Sequence, residues 1–370
     1  MRLLYLVSHP IQYQAPLLRR IAAEDGIDLQ VLFESMETAG VYRDSGFGTE
    51  LAWDVPLTDG YEHAAVASSW QLREAIAEAD VLWMHGWDSL TKLRALEAAR
   101  RSATPVLMRG ENTLTAMPDG WFPRRVAKRK YLNWIFERCA GFLCVGADNR
   151  TYYAAHGVGP QRLFDMPYAV DNDFFRSGEG DLRRQLGLQP GRPVVLFAGK
   201  FMPRKHPLTL LAAFNAVDRQ AAGNPYLLFV GDGEQRPQLM KAAEGDDAVR
   251  VLGFKNQREL PAYYGLADVF VLASEREPWG LAVNEAMNGG CAIVVSDQCG
   301  CAADLIDETC GAVVPAADAA ALSRALADVL SSPERTASLA AAAETRIAGW
   351  NFEADVSGLR HALRTVCLTP

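Results

Sequence analysis

Residues 269–297 read VFVLASEREPWGLAVNEAMNGGCAIVVSD, and this stretch sets the class of the whole chain. Its first five residues, VFVLA, are an unbroken apolar run, which reads as a strand buried on both faces. A polar turn over 275–280 follows, then a helical segment over 281–288 that Gly289 and Gly290 stop. A second apolar run over 292–295 completes a right-handed βαβ unit. Two carboxylates belong to it, Glu277 in the turn and Glu285 in the helix, with seven residues between them. Backbone amides at the helix start, near Gly280 and Leu281, favour an anion. An anion pocket between two carboxylates suits a ligand that carries phosphate and several hydroxyls.

Working outward, short apolar runs alternate with amphipathic stretches along the chain, the pattern of an α/β protein with parallel sheets. Strands are expected at 3–7, 29–33, 81–84, 106–108 and 142–145 in the first half. In the second half they are expected at 194–198, 227–230, 249–253, 269–273, 292–295 and 312–314. Between the two sets the composition shifts at 166–175 and the polar 177–181. The expectation is two doubly wound, Rossmann-like domains over 1–172 and 173–350, their strand carboxyl ends facing across a cleft.

Composition narrows the function. At 370 residues the chain is long enough for two cores, and 49% hydrophobic with 22% charged residues is ordinary for a globular protein. A net charge of −8 argues against a nucleic-acid binder held by bulk positive charge. The seven cysteines form no Cys-x-x-Cys pair and read as buried thiols of a reducing compartment. No run approaches the roughly 18 apolar residues of a membrane span. A cytoplasmic protein is expected.

In the second half, Gly199, Lys200 and Lys205 leave the strand over 194–198. The P-loop spacing is absent, yet two lysines five residues apart at a strand end can converge on a diphosphate. Gly231 and Gly233 end the next strand and allow backbone to approach a ligand closely. A third glycine of the dinucleotide fingerprint is missing, which argues against a dehydrogenase. Phe254, after the strand over 249–253, either packs beside a base or belongs to the core. Asp171-Asn172-Asp173 matches a short metal-binding pattern, but its place between apolar residues in the linker reads as structural, and no metal is expected.

In the first half, His9, Gln12 and Tyr13 lie in the loop after strand one, at the ligand end of a doubly wound sheet. His85 ends one strand, and Arg109 and Glu111 end another. Arg109 and Glu111 form a structural ion pair, or Arg109 holds an anion and Glu111 an acceptor hydroxyl. Five basic residues stand between 124 and 130, in a run that begins at Trp121. They make either a surface for anionic lipid or acceptor, or a solvated face of a buried helix.

Taken together and in order, the motifs resemble the donor domain of family-4 retaining glycosyltransferases with the GT-B fold. They are Gly-Lys-x4-Lys (199–205), Gly-Asp-Gly (231–233), Ala-Asp-Val-Phe-Val-Leu-x-Ser (267–274) and Glu-x7-Glu (277–285). Val294 to Asp297, Gly300 and the Gly-x-Val-Val-Pro at 311–315 continue the series, and 350–352 resembles the opening of a last helix, over about 351–370, that returns to the first domain. The resemblance implies that Lys200 and Lys205 hold the donor diphosphate with amides around Trp279, Gly280 and Leu281. It implies that Glu285 bonds the ribose and Glu277 the transferred sugar. Gly199, Gly231, Gly233 and Phe254 would line the same donor site, and His9, Gln12, His85, Arg109 and Glu111 the acceptor side. Neither metal nor other cofactor is then required.

The departures lie in the first half, where His9-Pro10 stands for the family's Gly-Gly and Arg109-Gly110-Glu111 for its usual histidine loop. Position 200 is Lys where Arg is more usual. The expected activity is sugar transfer from a nucleotide-diphosphate sugar to a hydroxyl of a glycan or lipid-linked glycan, at or near the inner face of a membrane. The alternatives are a donor-binding, non-catalytic partner of a glycan assembly complex and a two-carboxylate glycoside hydrolase.

Overall fold

The computed structural model describes residues 1–118, 122–178 and 180–368. Trp121 of the basic run and Glu179 of the polar linker lie outside them. The chain divides into two compact units: Met1–Tyr42, Val55–Tyr168 and the chain from Asn351 make one, Arg43–Asp54 and Ala169–Trp350 the other. Residues 43–54, which the sequence reading keeps in the first domain, thus cluster with the second.

In chain order the strands are β1 (Arg2–Val7), β2 (Asp28–Phe33), β3 (Tyr42–Asp44), β4 (Thr49–Leu51), β5 (Glu62–Ala65), β6 (Val81–His85), β7 (Val106–Arg109), β8 (Gly141–Cys144) and β9 (Leu163–Asp165). They continue with β10 (Val194–Ala198), β11 (Tyr226–Val230), β12 (Val249–Gly253), β13 (Val269–Leu272), β14 (Ala292–Ser296) and β15 (Gly311–Val314). The first unit holds a seven-stranded sheet, β5-β2-β1-β6-β7-β8-β9, and the second a six-stranded one, β12-β11-β10-β13-β14-β15. The pairings in both sheets are parallel. β3 and β4 form a separate two-stranded ribbon.

Alternation along β1 shows why these strands are apolar throughout. Leu3, Tyr5 and Val7 face a layer built with Leu17, Leu18 and Ile21 and with Val356, Leu359 and Leu363 of the last helix, Phe352–Leu368. Leu4 and Leu6 face the opposite layer, with Leu72, Ile76, Leu96 and Tyr153. A strand covered on both sides has no solvent face on which to place polar residues. The sequence reading misses β3, β4, β5 and β9 for the complementary reason. Each is three or four residues long, β5 and β9 are edges, and β5 is exposed along its length.

Each sheet has one point where strand order reverses, and there the loops leaving two adjacent strands diverge and open a crevice. In the first unit it lies between β1 and β6, in the second between β10 and β13.

Candidate functional site

At the reversal point of the second unit, the loop after β10 carries Lys200 and Lys205, and the loop after β13 carries Glu277. Val195 sits opposite Val269 and Leu196 opposite Phe270, which brings the two loops side by side. Lys205 Nζ donates to Glu277 Oε2, and both side chains are only about one-seventh exposed. Ser274 Oγ donates to the same oxygen at 3.1 Å. The Glu277 backbone is fixed as well: its N–H donates to the Gln298 carbonyl at 3.1 Å, and its carbonyl accepts from Gly300 N–H at 2.9 Å. Lys200 lies nearby in sequence but has a different partner, Asp44, at 2.8 Å to Oδ1 and 3.0 Å to Oδ2.

The helix Leu281–Asn288 starts at Gly280, which has no side chain with which to cap the first turn. Trp279 directly precedes Gly280, and its carbonyl accepts from Cys301 N–H at 3.0 Å. Its indole is buried, stacks on Trp350 at 5.7 Å and donates from Nε1 to Asn284 Oδ1 at 3.0 Å. Glu285, on the same helix, is buried and accepts from the Tyr264 hydroxyl at 2.6 Å. Burial pushes its carboxyl up to about 7, against the pull of the tyrosine hydrogen bond.

The paired glycines have a partner other than a ligand. A Cβ on Gly231 would stand 1.8 Å from the Gly199 carbonyl oxygen, and one on Gly233 would meet the Phe201 backbone at 2.6 Å. Their φ angles of 139° and 150° also disfavour a side chain. What approaches closely is the chain's own loop, tied by Phe201 N–H to the Asp232 carbonyl at 2.8 Å. Phe254 is half-buried and meets the Phe47 ring edge-on at 4.9 Å, with Trp53 at 6.3 Å. Asp171 caps the short helix Asn172–Arg176 by accepting from Phe174 N–H at 3.0 Å.

In the first unit, His9 follows β1 and His85 ends β6, one on either side of the reversal point. Tyr5 Oη lies 3.2 Å from His85 Nδ1 and donates to Gln14 Oε1 at 3.1 Å. His85 Nε2 lies 3.8 Å from Glu111 Oε1, which also accepts from the Tyr168 hydroxyl. Burial alone would raise the Glu111 carboxyl; the bonds to His85 and Tyr168 outweigh it and hold it below its ordinary range. His9 is half-buried, hydrogen-bonded to Ser8 Oγ at 3.0 Å, and its pKa is lowered by burial and then by Lys92. Gln12 is half-buried in the turn that leads to the helix Ala15–Ala22.

Arg109 does not join this group as an anion ligand or as the partner of Glu111. It is 3% exposed and donates to Asp355 Oδ2 at 3.1 Å and to the Met166 carbonyl at 3.2 Å. Its guanidinium also lies 5.0 Å over the Tyr168 ring. Asp355 is fully buried on the last helix, and burial pushes its carboxyl up to about 6 against the pull of Arg109. The physical cause is direction: the side chain turns into the layer between sheet and helix instead of out past the strand end.

The basic run lies in the helix Phe122–Phe136. Arg124, Arg125, Arg129 and Lys130 are exposed there, together with Val126, Tyr131 and Trp134. Among the described residues, no helix is long and apolar enough to cross a membrane.

Residues 179–346 match the family described as glycosyl transferases group 1. A protein of Segniliparus rotundus named D-inositol 3-phosphate glycosyltransferase is 29% identical over 347 residues, 90% of this chain and 72% of its own length. One of the same name from Frankia alni is 28% identical over 306 residues, 77% of this chain and 74% of its own length. Among solved structures, Alr3699/HepE of Anabaena in complex with UDP and glucose superposes with a TM-score of 0.74 at 15% identity, over 99% of this chain and 100% of its own. A glycosyltransferase from Rickettsia africae superposes at 0.76 with 12% identity, over 100% of this chain and 99% of its own. The chain has the GT-B fold, and residues 179–346 of its second unit match the glycosyl transferases group 1 family.

Proposed function

We propose that the chain is a retaining glycosyltransferase that moves a sugar from a nucleotide-diphosphate sugar to a hydroxyl of a glycan or lipid-linked glycan. The observation that carries this reading is the meeting of Lys205 and Glu277 beside the helix start at Gly280, with Lys200 on the same loop. Negative charge grows on the diphosphate as the glycosidic bond breaks. Fixed cations and helix amides therefore stabilise the transition state more than the ground state. Glu277, held at its backbone on both sides, can accept from sugar hydroxyls beside an oxocarbenium-like centre. Glu285 is assigned to the ribose hydroxyls and Phe254 to the side of the base.

In this mechanism the acceptor oxygen attacks the anomeric carbon on the face the diphosphate leaves. The bond to the diphosphate breaks, and a diphosphate oxygen takes the acceptor proton. Neither a protein nucleophile nor a metal is required, because the lysines and amides carry the charge. His9, Gln12, His85 and Glu111 are assigned to the acceptor side. The mixed basic and apolar face of Phe122–Phe136 suits peripheral contact with an anionic membrane surface.

A binding screen of nucleoside diphosphates and their sugars, followed by acceptor trials that include phosphorylated cyclitols, tests the reading. Lys205→Ala and Glu277→Ala are each expected to cut turnover at least ~100-fold. Near-normal turnover in both would overturn the site assignment. Donor binding with no turnover on any acceptor would favour a non-catalytic partner instead.

A further inference from the structure

The donor site of the second unit carries an element that its own family domain does not supply. Residues 43–54, from far upstream, bring Asp44 to Lys200 with both carboxylate oxygens within hydrogen-bond reach. The same carboxylate accepts from Gly46 N–H at 2.8 Å and Phe47 N–H at 2.9 Å, which aims it at the lysine. The Phe47 ring lies 4.9 Å from Lys200 Nζ and 4.9 Å from the Phe254 ring. Gly46 packs so tightly on Lys200 that a Cβ there would stand 2.5 Å from Cδ. The far end is moored by Asn256, which donates to the Ala52 carbonyl at 2.7 Å, and by Arg258 N–H, which donates to Asp54 at 3.2 Å. The ribbon thus reaches from the proposed phosphate cation to the ring at the proposed base position.

In this arrangement each site lysine is already neutralised by a carboxylate, Lys205 by Glu277 and Lys200 by Asp44. The two carboxylates are mounted differently. Glu277 is anchored through its own backbone to 298 and 300, whereas Asp44 belongs to a two-stranded ribbon outside the main sheets. A diphosphate arriving at Lys200 meets a like charge, and the two anions compete for the one ammonium group.

We infer that the 43–54 ribbon is an anionic latch on the donor site, in which Asp44 occupies Lys200 until a nucleoside diphosphate displaces it. The latch rests on the donor reading given above. It keeps Lys200 ordered in the empty site and makes donor entry an exchange of one anion for another. Burial alone would raise the Asp44 carboxyl, but its bonds to Lys200 and the two amides hold it below its ordinary range, so the latch carries its charge at neutral pH.

Calorimetric titration of UDP, GDP, ADP, CDP and dTDP into the full chain and its Asp44→Asn variant tests this. For any diphosphate that binds, Asp44→Asn is expected to tighten binding about tenfold, the scale of one charge-assisted pair. In the Lys200→Met background the same substitution should change affinity less than about twofold, since the cation in dispute is gone. Equal or weaker binding by Asp44→Asn, or an undiminished gain in the Lys200→Met background, overturns the latch while wild-type binding leaves the donor site standing. If neither wild type nor Asp44→Asn binds any diphosphate, the donor reading falls and the latch with it.

Discussion

Lys205 and Arg109 are both cations at the carboxyl end of a central strand, yet the two units use them in opposite ways. Arg109 is the last residue of β7, 3% exposed, and faces a carboxylate that is 0% exposed. Lys205 stands seven residues beyond the end of β10, in a loop, and pairs with a glutamate that remains part-exposed. An ion pair sealed between sheet and helix cannot exchange its anion without opening the core. A pair at the mouth of the crevice can exchange a carboxylate for a phosphate with little rearrangement. Residue type at a strand end is therefore a poor guide to function, and depth below the loop is a better one.

The largest expected effect falls on the sealed pair. Asp355→Ala leaves the Arg109 guanidinium buried without its carboxylate and should lower stability by about 3–5 kcal/mol in denaturant unfolding. A loss below about 1 kcal/mol would put Arg109 with the exchangeable cations and break the contrast.

Glu285 comes next, because it is a buried carboxylate on the donor side. Its folded-state pKa of about 7 lies above the ordinary value of 4.5, so the protonated form is favoured by folding. That contribution is complete below about pH 4.5 and is lost as pH rises through 7, amounting to about 3 kcal/mol. Stability profiles from pH 4.5 to 8.5 should show this decline in the wild type and not in Glu285→Gln. Parallel profiles would mean that Glu285 is ionised in the empty site.

The smallest effect sharpens the acceptor side. Glu111→Gln removes the negative charge beside His85 while keeping an acceptor for Tyr168. An approximately tenfold rise in acceptor KM with donor KM unchanged is expected, the scale of one hydrogen bond to a charged group. A rise in donor KM of equal size would move Glu111 out of the acceptor role.

Much of the donor half was legible in the chain. The strands that carry the lysine and glutamate loops, β10 and β13, are buried along their length, so they had to be apolar runs, and β10 and β12 fall on the residues expected for them. The glycines at 231 and 233 were visible as signs of close approach, although a ligand was expected where the Gly199–Phe201 backbone stands. Less could be read in the first half. Tyr5 stands in an apolar strand run and Tyr168 in the stretch between the two expected domains; both are buried, and their hydroxyls bond His85 and Glu111. Asp44 sits in an Asp-Ser-Gly-Phe-Gly turn with no local mark of its partner.

The sequence by itself determined which segments become parallel strands and which loops hold charge, because burial on two faces and helical periodicity are local demands on residue type. Only the tertiary structure decided the partners. Lys205 meets Glu277 across 72 residues, Lys200 meets Asp44 across 156, and Arg109 meets Asp355 across 246. Those meetings depend on which strand lies beside which and on which way each side chain turns from its strand. Strand order, register and packing set both, and no short run of residues encodes them.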